Sequence, residues 1–294
     1  MDASDLKIFE AAARLGGMNR AAAELNTVQS NVTVRIQALE ADLGRPLFER
    51  HSRGVSLTAA GRRLLPYADK VARLLADARR AARDDGMPRG ALTIGSLETT
   101  AAVRLTPLLT RYATEHPGVD LVLRTGTTRE LVSDVLEQRV DGAFVCGPVA
   151  HPDLDEQVMF QEELVVLAAP GVPSLDAVLS PGEVRLVVLR AGCSYRQMLE
   201  TLLVRRGIAV QRQMEFGTLE AILGCVSAGL GITMLPRALI DSVSNAARFS
   251  IHTLPRVEAI AQTVFIRRRD GFVPSALRAF LACSAGEFVA ARAA

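Results

Sequence analysis

Between Glu24 and Glu40 the chain carries no carboxylate, and inside that interval lie Gln29, Ser30, Thr33, Val34, Arg35 and Gln37. These residues supply amides, hydroxyls, one guanidinium and one small apolar side chain. Such groups hydrogen-bond to phosphates and base edges, and a valine among them can meet a thymine methyl. The chemistry on offer is recognition. Bond-making chemistry has no comparable signature: the four histidines, His51, His116, His151 and His252, accompany no GxSxG, HExxH or P-loop, and Gly229-Leu230-Gly231 lacks the third glycine of a dinucleotide fingerprint. The chain is therefore read as a non-enzyme.

Those side chains need a helix to hold them on one side. Leu6, Phe9 and Ala13 follow helical spacing from Ser4 to Leu15, and Gly16-Gly17 supplies a left-handed stop. Asn19 is expected to cap a second, short helix through Leu25, whose three consecutive alanines allow another helix to approach closely. The turn Asn26-Thr27 is expected to cap a third. Along it Val32, Ile36, Leu39 and Leu43 form one apolar stripe, and at about 100° per residue the opposite side carries Ser30, Thr33, Val34 and Gln37, flanked by Gln29 and Arg35. Two helices joined by a tight turn, the second displaying such a face, form a helix-turn-helix that can enter a major groove. A helical bundle with a neutral solvated side fits these residues too.

The next segment separates the two readings. "RPLFERHSRGVSLT" places extended pieces at Leu47 to Arg50 and Val55 to Thr58 around His51-Ser52-Arg53-Gly54, a β-hairpin wing. Arg53 at its tip could enter a minor groove or grip phosphate. With Thr27 at the start of the third helix, the residues assigned to DNA are Thr27, Gln29, Ser30, Thr33, Val34, Arg35, Gln37 and Arg53.

The pattern Leu6, Phe9, Ala13, Gly16, Ala22, Ala23, Leu25, Gln29, Ser30, Val32, Ile36, Leu39, Glu40, Leu43, Gly44, followed by Leu47, Phe48, Arg50, Arg53, Leu57, Thr58, Ala60 and Gly61, resembles the LysR-type transcriptional regulators. The resemblance implies promoter recognition through a winged helix-turn-helix. Gly17 and Thr33 stand where serine is usual in that family, and Thr33 keeps a hydroxyl on the reading face.

From Thr58, the expected cap, to Gly86 runs about 42 Å of helix. Leu64, Ala68, Val71, Leu75, Ala78 and Ala82 recur as a heptad seam, with Pro66 expected to kink the helix or loosen its first turns. The seam could pack on the chain's own body. The LysR-type resemblance implies instead a linker helix through which two copies pair, as a dimer or a tetramer, presenting two reading helices to a roughly symmetric operator.

After Met87-Pro88-Arg89-Gly90 the periodicity changes. Runs such as "ALTIG", "VDLVLR", "GAFVCG", "ELVVLAA", "RLVVLR", "GITML" and "QTVFIR" alternate with helical stretches at 100–115, 128–139, 194–206 and 218–229. That alternation argues for α/β units around mainly parallel sheets, which bind ligands at the carboxyl ends of their strands. "GSLETT", "TGTTRE", "CGPV", "RAGCSYR" and "EFGTLE" fall at those ends, rich in residues that also cap helices.

The resemblance implies that this region is an effector domain of two α/β subdomains, like those of periplasmic solute-binding proteins, closing on a coinducer. The expected organisation is a DNA-binding domain at 1–58, a linker helix at 59–88, and an effector domain at 89–294, with subdomain I at about 89–166 and 268–294 and subdomain II at about 167–267. Effector contacts are assigned to Ser96, Thr99, Thr100, Thr128, Cys146, Ser194 and Thr218. A cleft-facing Glu98 would disfavour an anionic ligand and prefer an amine.

Composition bounds the rest. The chain has 294 residues, 49% hydrophobic, with a formal net charge of +2, too small to name a partner. Residues 1–86 hold 14 Lys/Arg against 11 Asp/Glu, a weak lean toward nucleic acid. Cys146, Cys193, Cys225 and Cys283 lie far apart without a CxxC, so neither a metal site nor a disulfide framework is expected and no cofactor is implied. Some LysR-type proteins sense redox state with a cysteine pair. Cys146 and Cys193 on opposite cleft walls would permit that, although their setting is not electropositive. A solute-binding protein is the other alternative, and the attached N-terminal helices fit it poorly. No window approaches 18 consecutive apolar residues, and "MDASDLKIF" opens with acids, so no membrane partner and a cytoplasmic location are expected. The partners are then double-stranded promoter DNA, a small-molecule effector, further copies of the chain and RNA polymerase.

Overall fold

The computed structural model describes residues 1–51, 54–179, 183–242 and 246–293, with side-chain burial undefined at a few residues beside the gaps and after 285. The chain divides into two compact units, Met1–Asp85 and Gly86–Ala294.

The first unit is built from α1 (Ala3–Leu15), α2 (Met18–Glu24), α3 (Gln29–Leu43), the hairpin β1 (Phe48–His51) and β2 (Gly54–Leu57), and α4 (Ala59–Arg83). The Asp2 carboxylate accepts from the Ser4 and Asp5 N–H groups at 2.8 and 2.9 Å, while Asp5 accepts from the Asp2 N–H at 3.0 Å. This reciprocal cap fixes where α1 begins, and Gly16, at φ 65°, ends it. Two expected caps are corrected. The N-cap of α2 is Gly17 rather than Asn19, and that of α3 is Val28 rather than the Asn26-Thr27 pair. In both cases an extended backbone starts the helix with no capping side chain. The Thr27 hydroxyl instead accepts from the Asn31 amide at 3.0 Å, and Asn26 turns the chain at φ 51°.

Val32, Ile36 and Leu39 of α3 are buried with Phe9, Ala11 and Ala12 of α1 and Ala21 and Ala22 of α2. Leu43, expected in the same stripe, is 38% exposed because it falls in the last turn, beyond the core. The hairpin pairs Phe48 with Leu57 and His51 with Gly54, one residue later at its start than the spacing suggested. The Glu40 carboxylate accepts from the Leu47 and Phe48 N–H groups at 2.7 and 3.1 Å, tying the end of α3 to the wing.

Thr58 caps α4 as expected, accepting from the Gly61 N–H at 3.0 Å. The helix continues through Pro66 to Arg83. Leu64, Leu65, Ala68 and Val71 join the core, whereas Leu74 and Leu75, further along, are 66% and 42% exposed and Ala78 and Ala82 are exposed too.

The second unit begins with β3 (Gly90–Ser96), then a helical run of α5 (Glu98–Thr100), a π-helical stretch (Ala101–Leu105) and α6 (Thr106–Glu115). It continues through β4 (Val119–Thr125), α7 (Thr128–Leu136), β5 (Gly142–Gly147), β6 (Leu154–Ala168), α8 (Leu175–Leu179), β7 (Glu183–Leu189), α9 (Ser194–Arg205) and β8 (Ala209–Phe216). The remainder is α10 (Leu219–Ser227), β9 (Thr233–Pro236), α11 (Arg237–Ser242), β10 (Ser250–Thr253), α12 (Arg256–Ala259), β11 (Ile260–Arg268) and α13 (Ser275–Ala293).

Two α/β lobes result. In the first, β3 pairs in parallel with β4 and β5, and β11 joins β5 to the first two thirds of β6. The last residues of β6 cross into the second lobe and pair with β9 and β10, beside the parallel pair β7 and β8. The sheets are mixed rather than mainly parallel, because the chain crosses between the lobes on antiparallel strands. Two strands, β8 and β10, lie outside the apolar runs of the sequence. β8 is almost wholly solvent-facing and β10 has four residues. Among the described residues no helix is long and apolar enough to cross a membrane.

Gly61 marks the tightest join of the first unit. A Cβ there would stand 2.3 Å from the Leu47 carbonyl oxygen, so no side chain fits without moving the wing. Gly61→Ala is expected to destabilise by about 1–3 kcal/mol through overpacking, read as a lowered urea midpoint. An unchanged midpoint would show that wing and linker helix yield freely.

Candidate nucleic-acid interface and effector cleft

Burying Val32, Ile36 and Leu39 forces the other side of α3 outward. Gln29, Ser30 and Gln37 are exposed, Val34 is 61% exposed, and Thr33 is half-buried at the edge of the face. The Gln29 amide donates to the Thr33 hydroxyl at 2.7 Å. That bond leaves the Gln29 carbonyl to accept and the Thr33 hydroxyl to donate outward, which suits base edges. Thr27 sits half-buried before the helix. Arg35 is drawn elsewhere: its guanidinium pairs with Asp5 at 2.7 Å and Asp2 at 3.2 Å, bracing α3 against the start of α1. Its geometry is that of a strut between helices. Arg53 lies outside the described residues. Val28, 65% exposed at the N-cap, adds a second apolar side chain to the region. It precedes the helical period, so spacing gave no hint of it.

The second unit holds a cleft between its lobes. From the first lobe come Leu97, Glu98 and Thr99 after β3 and the Thr125–Thr127 loop after β4; from the second come Arg190 after β7 and Cys193 to Tyr195 at the start of α9. The carboxyl ends of parallel strands and the starts of helices thus meet there, as such folds favour. Thr99 and Ser194, both expected at the effector site, line this cleft. Thr128 and Cys146 line an adjoining cavity of about 430 Å³, which Ser194 also borders. The Ser194 hydroxyl donates to the Thr128 hydroxyl at 2.9 Å across the lobes, and the Cys146 N–H reaches the same oxygen at 3.4 Å.

Ser96, Thr100 and Thr218 lie off the cleft lining. Ser96 is fully buried and donates to the Leu97 carbonyl at 3.0 Å. Thr100 is buried with its hydroxyl unpartnered. Thr218 is exposed and caps α10 by accepting from the Ala221 N–H at 3.4 Å. Tyr195 and Arg190, absent from the sequence-derived set, are at the site. A tyrosine flanked by helix residues reads as core, and an arginine after a strand reads as surface.

The electrostatics divide the cleft. Burial pushes the Cys146 thiol up to about 11 and raises that of Cys193. Both therefore stay protonated at neutral pH, a poor basis for thiolate chemistry. Loss of water likewise raises the Glu98 carboxyl, opposed by the Leu219 N–H and by Arg190. The Tyr195 phenol is raised by burial. Among the described residues no group of three or more metal-ligating side chains occurs.

Comparison with known proteins gives a consistent result. Residues 3–62 match the family model of the bacterial regulatory helix-turn-helix proteins of the lysR family, and residues 85–288 match that of the LysR substrate binding domain. The HTH-type transcriptional regulator YusT of Bacillus subtilis, itself uncharacterised, is 47% identical over 284 residues, covering 96% of this chain and 94% of its own. The HTH-type transcriptional regulator GltR of the same organism is 44% identical over 276 residues, covering 94% and 93%. Among solved structures, a full-length OxyR variant from Pseudomonas aeruginosa has a TM-score of 0.69 at 22% identity, covering 97% and 94%, a likeness of fold alone. Full-length CbnR complexed with its target DNA has a TM-score of 0.54 at 25% identity, covering 98% of this chain and all of that one.

Glu98 carries a stability consequence. A carboxyl whose folded pKa lies above its unfolded value contributes stability below the unfolded value and loses it as pH rises through the folded one. Glu98→Gln is therefore expected to raise the melting temperature at pH 7, the gain vanishing near pH 4. A lower melting temperature at pH 7 would show that the Leu219 N–H outweighs the loss of water.

Proposed function

This chain belongs to the LysR family of transcriptional regulators, and from that membership we propose how its parts divide the tasks of recognition and response. It is a DNA-binding regulator that couples a helix-turn-helix to an effector-binding domain. The observation that carries the finer reading is the outward, carboxylate-free side of α3, opposite a stripe in the core.

Ser30, Thr33, Val34 and Gln37, with Gln29 and Thr27, read base edges in a major groove, and Arg53 grips phosphate or a minor groove from the wing. Arg35 serves mainly as the brace that orients α3. The full-length CbnR seen with its target DNA supports duplex DNA as the partner. The exposed apolar half of α4 supports pairing with a second copy, since Leu74, Leu75, Ala78 and Ala82 have no cover within the described first unit. A dimer, or a tetramer of two dimers, would hold two reading helices at a fixed separation.

A small-molecule effector sits between the lobes against Thr99 and Ser194, near Thr128 and Cys146. By favouring one lobe arrangement it changes the spacing or angle of the DNA-binding units, and with it promoter bend and access for RNA polymerase. The protein acts where promoter DNA is, in the cytoplasm, and turns over no substrate.

DNA selected from a random pool by the full-length protein provides the test. Ser30→Ala, Thr33→Ala and Gln37→Ala are each expected to reduce discrimination between selected and scrambled duplexes by about 1–3 kcal/mol, while Arg53→Ala should weaken all duplexes alike and lower the salt slope by about 1. Indifference to all four overturns the interface. For the pairing helix, Leu75→Asp is expected to shift sedimentation toward monomer, and an unshifted profile overturns that assignment.

A further inference from the structure

The cleft presents opposite electrostatic demands at its two levels. At its floor Thr99 and Tyr195, one from each lobe, are each 3% exposed, and their hydroxyls lie side by side with no hydrogen-bond partner beyond each other among the described residues. Buried hydroxyls are seldom left so, because each forfeits its bonds to water. Beside them starts α9, a helix of 12 residues whose N-cap, Cys193, makes no side-chain capping bond. The N–H groups of its first turn, which meet no side-chain oxygen and only the weakly accepting Cys193 sulfur, and the positive end of the helix favour an anion there.

Nearer the mouth the balance reverses. Glu98 lines the cleft with only a backbone N–H and the field of Arg190 to offset its loss of water, and Glu220 adds further negative charge. Arg190 is shared, since it also acts on Glu130. This rim favours a cation. A plain carboxylic acid would satisfy the floor and be repelled by Glu98; a plain amine would satisfy Glu98 and leave the floor unpaired. Leu97 and Leu189 add apolar surface to the cleft lining.

We propose that the effector is a free α-amino acid, its carboxylate toward Thr99, Tyr195 and the start of α9, its ammonium toward Glu98, and its side chain against Leu97 and Leu189. This assignment rests on the cleft being the effector site. The ligand joins groups from both lobes, so it binds one lobe arrangement better than another, the condition for a ligand to shift an equilibrium.

Calorimetric titration of the full-length protein with the proteinogenic L-amino acids at millimolar concentration tests this. At least one is expected to bind, with the N-acetyl and the carboxamide derivatives of that amino acid each at least tenfold weaker. Glu98→Gln is expected to weaken the free amino acid about tenfold and to leave the N-acetyl derivative unchanged or improved, and Tyr195→Phe to weaken both. Failure of every amino acid to bind, equal affinity for the N-acetyl derivative, or indifference to Glu98→Gln overturns the proposal. The same titrations are run with simple dicarboxylates and diamines, with retention of the selected DNA as a second readout. Binding of one of those compounds with a change in DNA retention would leave the cleft's regulatory role standing while removing the amino acid.

Discussion

Val32, Ile36 and Leu39 are held in the same small core as Phe9, Ala21 and Ala22, and the rest of the first unit is arranged around keeping that side of α3 down. Burying these side chains contributes roughly 1.5–3 kcal/mol each as an upper bound. An α-helix has a single azimuth about its axis, and fixing it by packing one side also decides which residues meet solvent. The Arg35 pairs with Asp2 and Asp5 and the Glu40 bonds to the Leu47 and Phe48 N–H groups then pin α3 at its middle and near its C-terminal end. Recognition is thus a by-product of orientation: the outward face needs few bonds of its own because the inward one leaves it no freedom.

Much of this was legible in the sequence, for a definite reason. The three- and four-residue spacing of Val32, Ile36 and Leu39 encodes burial, and Gly16 and Gly44 encode the ends of α1 and α3 through left-handed backbone. What escaped were features that no local rule records. Gly17 and Val28 start their helices on extended backbone alone, so Asn19 and Asn26-Thr27 were natural but mistaken choices. Arg35 looks like a recognition residue until its carboxylates, 33 and 30 positions earlier, are brought beside it by tertiary packing. Strand β8, with little buried apolar surface, has no pattern to betray it.

The cleft was harder to read than the helices. Helix starts rich in Ser and Thr mark strand ends correctly, but the rule does not tell a residue that faces the cleft from one that caps or packs. Thr218 is consumed in capping α10 and Ser96 in bonding to Leu97, whereas Thr99 lies on the cleft floor. Tyr195 is invisible to motif reasoning because its value lies in a hydroxyl left unpaired by the surrounding fold. Legibility ends where a side chain's direction depends on which lobe is packed behind it.

Strand β6 belongs to both lobes: Leu154–Glu163 pair with β11, and Leu164–Ala168 pair with β9 and β10. A pull that separates the lobes along this strand would load many main-chain hydrogen bonds at once, in shear, instead of peeling them one after another. Rotation about the strand axis would load those bonds less directly. The connection should therefore behave as a torsion bar, stiff in tension and compliant in twist, so that turning is the cheap way for one lobe to report to the other.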